Sequence, residues 1–276
     1  MINATGNRMT REIARQSKLA EQIEKLQIQV STGKRLQRMS DDVVASKRIA
    51  TIGKTQAAMD TWATNINTGK ALAAQADGVL QSTSDLLTRA RELTLNAASD
   101  TASPADRATI AAELSAIADQ IDGLAATRDA NGEPLFATGN ARAMRFDSDT
   151  VFAPVPSAAD ALAVSGTSLS TFVRDAAAAV AAGDKTAMGG AMTALDTAIN
   201  HTADQNAAIG LAAGRLERIG DSLAARGVTL ADERSSVEDT DLSVAIAQLN
   251  AADLTLGAAQ AAFAKINRQS LFDLLS

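Results

Sequence analysis

The stretch LSVAIAQLNAADLTLGAAQAAFAKI, residues 242–266, decides the fold. Alternating steps of three and four residues land on Leu242, Ala245, Leu249, Ala252, Leu256, Ala259, Phe263 and Ile266, all of them apolar. An α-helix returns to the same face at that interval, whereas a strand alternates at every second residue. The stripe is two positions wide per heptad, which is the narrow seam of a coiled coil rather than the broad face of a globular helix. Such a helix needs a partner.

A second seam lies at the other end of the chain, where Leu19, Ile23, Leu26 and Val30 keep the same beat. Between the ends, Ile49, Ile52, Met59, Ala63 and Ile66 continue it with Gln56 as an interruption. Leu72, Ala76, Val79, Leu86, Ala90, Leu93 and Ala97 follow with Thr83 as the exception. Later, Ile209, Ala213, Leu216, Gly220, Leu223, Gly227 and Leu230 repeat it with small residues that let helices approach closely. Two terminal seams too narrow to bury themselves alone are expected to pair with each other and with neighbouring copies, and to be poorly ordered in a free monomer.

Turn signals divide these helices. Ser103-Pro104-Ala105-Asp106 supplies an N-cap hydroxyl, a proline at the first helical position and an acid in the first turn, and starts a helix that runs to about Thr127. Ser235-Ser236-Val237-Glu238 has capping-box spacing and is read as the start of the final helix, with a break between 230 and 240. Arg128-Asp129-Ala130-Asn131-Gly132-Glu133-Pro134 is a turn around an Asn-Gly pair. Three of the four prolines fall between 129 and 167, a region expected to avoid helix, with residues 141–146 and 151–155 able to pair across Asp147-Ser148-Asp149. An Ala-rich helix resumes at Ser168 and ends at Gly183-Asp184. The fold expected is mainly α: a long antiparallel helical rod, a terminal coiled coil and a small β excursion in the middle.

Composition narrows the function. The 276 residues carry 26 basic and 32 acidic side chains, a net charge of −6, which argues against a general nucleic-acid binder. Apolar residues make up 46 % but aromatics only 3 %, so thin helices must pack closely around Ala and Leu. The absence of cysteine removes disulfides, thiolate metal sites and cysteine nucleophiles, and the single His201 reads as a polar residue on a helix face. Gly-rich phosphate loops, nucleophile elbows and metal-ligand clusters are missing from the sequence, so no catalytic, cofactor-binding or metal residue is assigned. Neither a signal-like N-terminus nor a window of about 18 apolar residues is expected, which speaks against a membrane partner.

Charge is uneven along the chain. Residues 1–60 hold eleven basic and six acidic side chains, with Lys34, Arg35, Arg38, Lys47 and Arg48 clustered. They read as a solvated helix face or as groups that pair with acidic neighbours in an assembly. Asp41 and Asp42 are sequence neighbours without a His, Cys or Tyr to complete a catalytic site, and read as an N-cap and first-turn acid for the helix that carries Val43 and Val44.

Several short segments carry a resemblance. They are Gln29-Val30-Ser31-Thr32-Gly33-Lys34-Arg35-Leu36 followed by Ser40-Asp41-Asp42, then Thr127-Arg128-Asp129-Ala130-Asn131-Gly132-Glu133-Pro134-Leu135-Phe136, Ala261-Ala262-Phe263-Ala264-Lys265-Ile266, and Ser270-Leu271-Phe272-Asp273-Leu274-Leu275. With these the chain resembles the bacterial flagellin superfamily over about 1–136 and 190–276, and within it the hook-filament junction branch more than the filament flagellins. Ser31, Gly33, Arg35, Asp41, Asp42, Arg128, Asp129, Asn131 and Gly132 match that family's motifs.

The resemblance implies a structural protein rather than an enzyme, located in the extracellular flagellum and exported without a cleaved signal. It implies an inner coiled-coil domain from 1–45 with 236–276, a helical rod from 46–136 with 168–235, and a short hairpin or loop insertion at 137–167. It also implies self-assembly in the axial structure, another hook-associated protein and flagellin as neighbours, and an export chaperone at the C-terminal helix. Leu19, Ile23, Leu26, Val30, Leu242, Leu249, Leu256, Phe263, Ile266, Leu271 and Phe272 are the expected assembly interface. A filament flagellin that forms the propeller itself is the alternative.

Overall fold

The computed structural model describes residues 2–273, with side chains from 9 to 265. The side chains of Ile266, Leu271 and Phe272 therefore lie outside the described residues. Seven helices are described: α1 (Ile2–Thr32), α2 (Val43–Ala97), α3 (Pro104–Ala125), α4 (Ala158–Ala161), α5 (Leu169–Ala182), α6 (Lys185–Glu238) and α7 (Leu242–Asp273). Four two-residue strands lie between α3 and α5: β1 (Met144–Arg145), β2 (Val151–Phe152), β3 (Ala163–Val164) and β4 (Thr167–Ser168). The chain divides into two compact units, 1–56 with 227–276 and 57–226.

The larger unit is built by α3 and α5 packing on each other and on the helices that flank them. Leu80, Leu87, Leu114, Val173, Val180, Leu195 and Ile209 are fully or almost fully buried there, and Leu135 and Phe136 belong to the same core. Within this unit α2 and α6 run antiparallel, because Ile66 lies against Gly220, Gly69 against Leu216, and Arg91 pairs with Asp196. Buried Thr83, Thr94 and Thr202 satisfy their hydroxyls on the carbonyl four residues back, so the polar interruptions of the ladder cost little.

Local signals act as the sequence predicts at several boundaries. Ser103 and Asp106 form a reciprocal capping box at the start of α3, and Gly183, at φ +67°, ends α5. β1 and β2 pair antiparallel with Met144 opposite Phe152, across the Asp147–Asp149 turn. Their hairpin is anchored by Phe146, fully buried against Leu216 and the bare backbone of Gly69, and by Arg215 lying over the Phe152 ring at 4.3 Å.

Other expectations are corrected. Ser235–Glu238 do not open a helix; they are the last turn of α6, held by the Arg234–Glu238 pair at 2.8 Å. The N-cap of α7 is Asp241, whose Oδ1 accepts from the amides of Ser243 and Val244 at 2.9 and 3.2 Å. The aspartates sit one position earlier than expected: Asp42 is the N-cap of α2, accepting from the Ala45 amide at 3.0 Å, and Asp41 precedes the helix.

The 129–167 region is not free of helix, since Ser157 caps the four-residue α4. It also holds a second hairpin, in which Ser165 (φ +50°) and Gly166 (φ +83°) supply the two positive-φ positions of a tight β3–β4 turn. Finally, Leu242–Lys265 is by length and mean composition apolar enough to cross a membrane. The sequence count missed it because Ser243, Gln248, Asn250 and Asp253 interrupt the run.

Candidate assembly interface

The smaller unit is a two-helix seam. α1 and α7 pack together, with Ile23, Leu26 and Ala245 buried. On the same α1 stripe Leu19 and Val30 are half-buried, as are Leu249, Ala252, Leu256, Ala259 and Phe263 on α7. The burial follows the three-four spacing of a helix that packs lengthwise on another. Leu242 departs from it and is 46 % exposed at the first position of α7.

Beyond the seam, the outer faces of both helices carry exposed Met9, Ile13, Ile28, Val244, Ile246 and Leu254. Within residues 242–265 the only charged side chains are Asp253 and Lys265. The α7 outer face, nearly free of charge and partly apolar, matches surfaces that are covered in an assembly.

Two loops close the unit at the base of the seam. Gly33 ends α1 in the left-handed region at φ +70°, its amide donating to the Gln29 carbonyl at 2.9 Å, and turns the chain toward residues 239–240. The Arg35 amide donates to the Glu238 carbonyl at 2.8 Å and the Thr240 amide to the Gly33 carbonyl at 2.9 Å. Lys34 and Arg234 both hold the Glu238 carboxylate, and together keep its pKa below the ordinary value.

Arg48 pairs with Glu233 at 2.5 Å, and Arg35 with Asp42 at 3.6 Å. Asp41 accepts from the amides of Arg38 and Gln37 at 2.9 and 3.1 Å, and those donors hold its pKa down. Ser31 lies exposed in the last turn of α1. Thus part of the basic cluster is used inside the chain, while Arg38 and Lys47 have no ion-pair partner among the described residues. Sequence reasoning did not single out Glu233 and read Glu238 only as a capping-box acid; their roles come from partners far away in sequence, Arg48 of α2 for Glu233 and Lys34 for Glu238.

In the larger unit the Arg128–Phe136 segment forms a tied turn. The Asp129 carboxylate is almost wholly buried; Oδ1 accepts from the amides of Asn131 and Glu133 at 2.9 and 3.0 Å, and Oδ2 from Arg142 at 3.0 Å. Burial pushes its pKa up, but the Glu133 amide, the Arg142 guanidinium and the Asn131 amide outweigh that and leave it below the ordinary 3.8. Gly132, at φ +81°, closes the turn, and the Arg128 guanidinium donates to its carbonyl at 2.6 Å. Gln75 of α2 donates to the Arg128 carbonyl at 2.9 Å and fastens the turn to the helix. His201 bonds the Asp160 carbonyl through Nε2 at 2.8 Å, a structural link between α6 and α4.

Both tied loops lie on a chain whose two ends match family models. The profile described as the bacterial flagellin N-terminal helical region matches residues 3–141, and that of the C-terminal helical region matches 192–275. The chain belongs to the bacterial flagellin family.

Among curated relatives, this flagellin-family chain is 32 % identical to flagellar hook-associated protein 3 of Salmonella typhimurium over 126 residues, which is 46 % of this chain and 40 % of that protein. It is 28 % identical to the flagellar filament 30.7 kDa core protein of Treponema maltophilum over 90 % of this chain and 88 % of that one. The chain thus spans less than half the length of the hook-associated relatives it matches. Among solved structures, Xanthomonas campestris FlgL superposes with a TM-score of 0.58 at 15 % identity, covering 67 % of this chain and 99 % of that one. Bacillus cereus FlgL superposes with 0.55 at 18 %, covering 65 % and 96 %. These likenesses concern the fold.

Proposed function

We propose that this flagellin-family chain is a structural component of the bacterial flagellum that joins hook to filament. The observation that carries the reading is the Thr127–Phe136 turn, whose junction-type motif residues are tied down together with the match to hook-associated protein 3. The α1–α7 unit is then the inner, axial part, with 1–45 and 236–276 as the inner domain and 46–136 with 168–235 as the rod. Leu19, Ile23, Leu26, Val30, Leu242, Leu249, Leu256, Phe263, Ile266, Leu271 and Phe272 set the assembly contacts. The protein works by holding positions in a lattice rather than by turnover. Its neighbours are further copies, another hook-associated protein and flagellin, with an export chaperone on the C-terminal helix before assembly.

A filament flagellin is the second reading, favoured by the nearly full-length match to the Treponema core protein. Immunogold labelling of detached flagella with an antibody to residues 137–190 separates them. Gold confined to the hook end is expected; gold along the whole filament makes the chain a propeller subunit.

A further inference from the structure

We propose that the first turns of α2 carry a docking stripe for the α6 helix of a second copy of this chain. The inference rests on the assembly reading above. Val44, Lys47, Thr51 and Lys54 follow one another at three-, four- and three-residue steps, so they share one face of α2, and all four are exposed. Val44 is 80 % exposed, and the neighbouring Met39 and Val43 are similarly bare. Among the described residues neither lysine has an ion-pair partner.

The complementary surface lies on α6. Gly214, Glu217, Asp221 and Ala224 repeat the steps three, four and three, and the two carboxylates are exposed without an ion-pair partner among the described residues. Gly214 adds no side chain to that face. Arg218 borders it, leaving two carboxylates against one guanidinium.

Laid antiparallel, the two stripes match rung for rung. Val44 falls opposite Ala224, Lys47 opposite Asp221, Thr51 opposite Glu217, and Lys54 opposite Gly214 within reach of Glu217. Residues 1–56 with 227–276 hold fourteen basic and twelve acidic side chains, whereas 57–226 hold twelve and twenty, so the charge favours this pairing.

Within one copy the first turns of α2 lie beside the Glu233 end of α6 instead. Arg48 is bound to Glu233, sixteen residues from Glu217, or roughly 24 Å of helix at 1.5 Å per residue. Because the two stripes differ, the contact is head-to-tail, the type that builds rings and helical lattices rather than closed dimers.

The cysteine-free sequence makes the test direct. Flagella from cells expressing Val44→Cys/Ala224→Cys are oxidised and run on a denaturing, non-reducing gel. The expected result is a ladder of dimer, trimer and higher species, absent from either single variant. Lys47→Glu/Lys54→Glu in that background should reduce the ladder at least tenfold, and adding Glu217→Lys/Asp221→Lys should restore it.

Monomer alone from flagella that contain the chain, a dimer from Val44→Cys by itself, or an adduct to a different protein each overturns the docking stripe and leaves the flagellar reading intact. Absence of the chain from flagella overturns that reading and the stripe with it.

Discussion

At the residue scale, two glycines of α2 show how context decides the effect of one methyl group. A Cβ on Gly69 would sit 3.1 Å from both Leu216 Cδ1 and Phe146 Cε1, while one on Gly78 would meet nothing within 4 Å. Helix propensity alone favours Ala over Gly by about 1 kcal/mol. Gly78→Ala should therefore stabilise the protein by roughly 0.5–1 kcal/mol. Gly69→Ala should instead lower stability, by up to about 1–3 kcal/mol, because it forces Phe146 from its seat. Urea denaturation followed by circular dichroism should show midpoints moving in opposite directions.

Asp129 supports a second prediction at this scale. Its folded pKa is depressed from 3.8, so the folded state binds the proton less well than the unfolded chain. The stabilisation is present above the ordinary value and is lost as pH falls through 3.8 toward the folded value. Glu238, depressed from 4.5, and Asp42, from 3.8, act in the same direction. Urea midpoints should be flat from about pH 7 to 5 and fall below about pH 4. Asp129→Asn should be less stable at neutral pH, with a shallower acid decline; an unchanged decline would place the acid sensitivity elsewhere.

At the element scale, the seam predicts a local response. Ile23 and Leu26 are buried where α1 packs on α7, so truncating either to Ala should cost about 2–4 kcal/mol of the pairing. Hydrogen exchange should then show lost protection in α1 and α7 and unchanged protection in α3 and α5, which pack on each other. The seam was legible in the sequence because a three-four ladder reads directly as burial in a two-helix pair. The Ser103 box and the Asn131-Gly132 turn were legible because their side chains or backbone act within four residues.

What the sequence concealed depends on distant partners. Ser235 and Glu238 have the spacing of a capping box, but Glu238 is held by Lys34 and Arg234 in the last turn of α6, and the pair with Lys34 is invisible to local spacing. Met39, Val43 and Val44 gave no sign of their exposure, because local spacing does not tell a core valine from a surface one. The Ser165-Gly166 hairpin went unread because its strands are two residues long, too short for alternation to register.

At the scale of the whole molecule, the two units differ in what holds them. In residues 1–56 and 227–276, Ile23, Leu26, Ala45, Ile52 and Ala245 are the apolar side chains buried among the described residues, whereas 57–226 bury a continuous core of Leu, Ile, Val and Phe. Ordering a residue opposes folding by about 1–2 kcal/mol, so long helices that bury few side chains are marginal by themselves. The free chain should thus melt in two steps, α1 and α7 first and the 57–226 core later. Calorimetry of the monomer should resolve both transitions, and Ile23→Ala should lower the first while leaving the second in place. On the proposed assembly, neighbouring copies would cover the exposed Val244, Ile246 and Leu254, so in assembled flagella the first step should rise toward or merge with the second, because binding to the folded state stabilises it by mass action. A first transition that stays put on assembly would mean that α1 and α7 do not form the subunit contacts, and the axial assignment of that unit would fall.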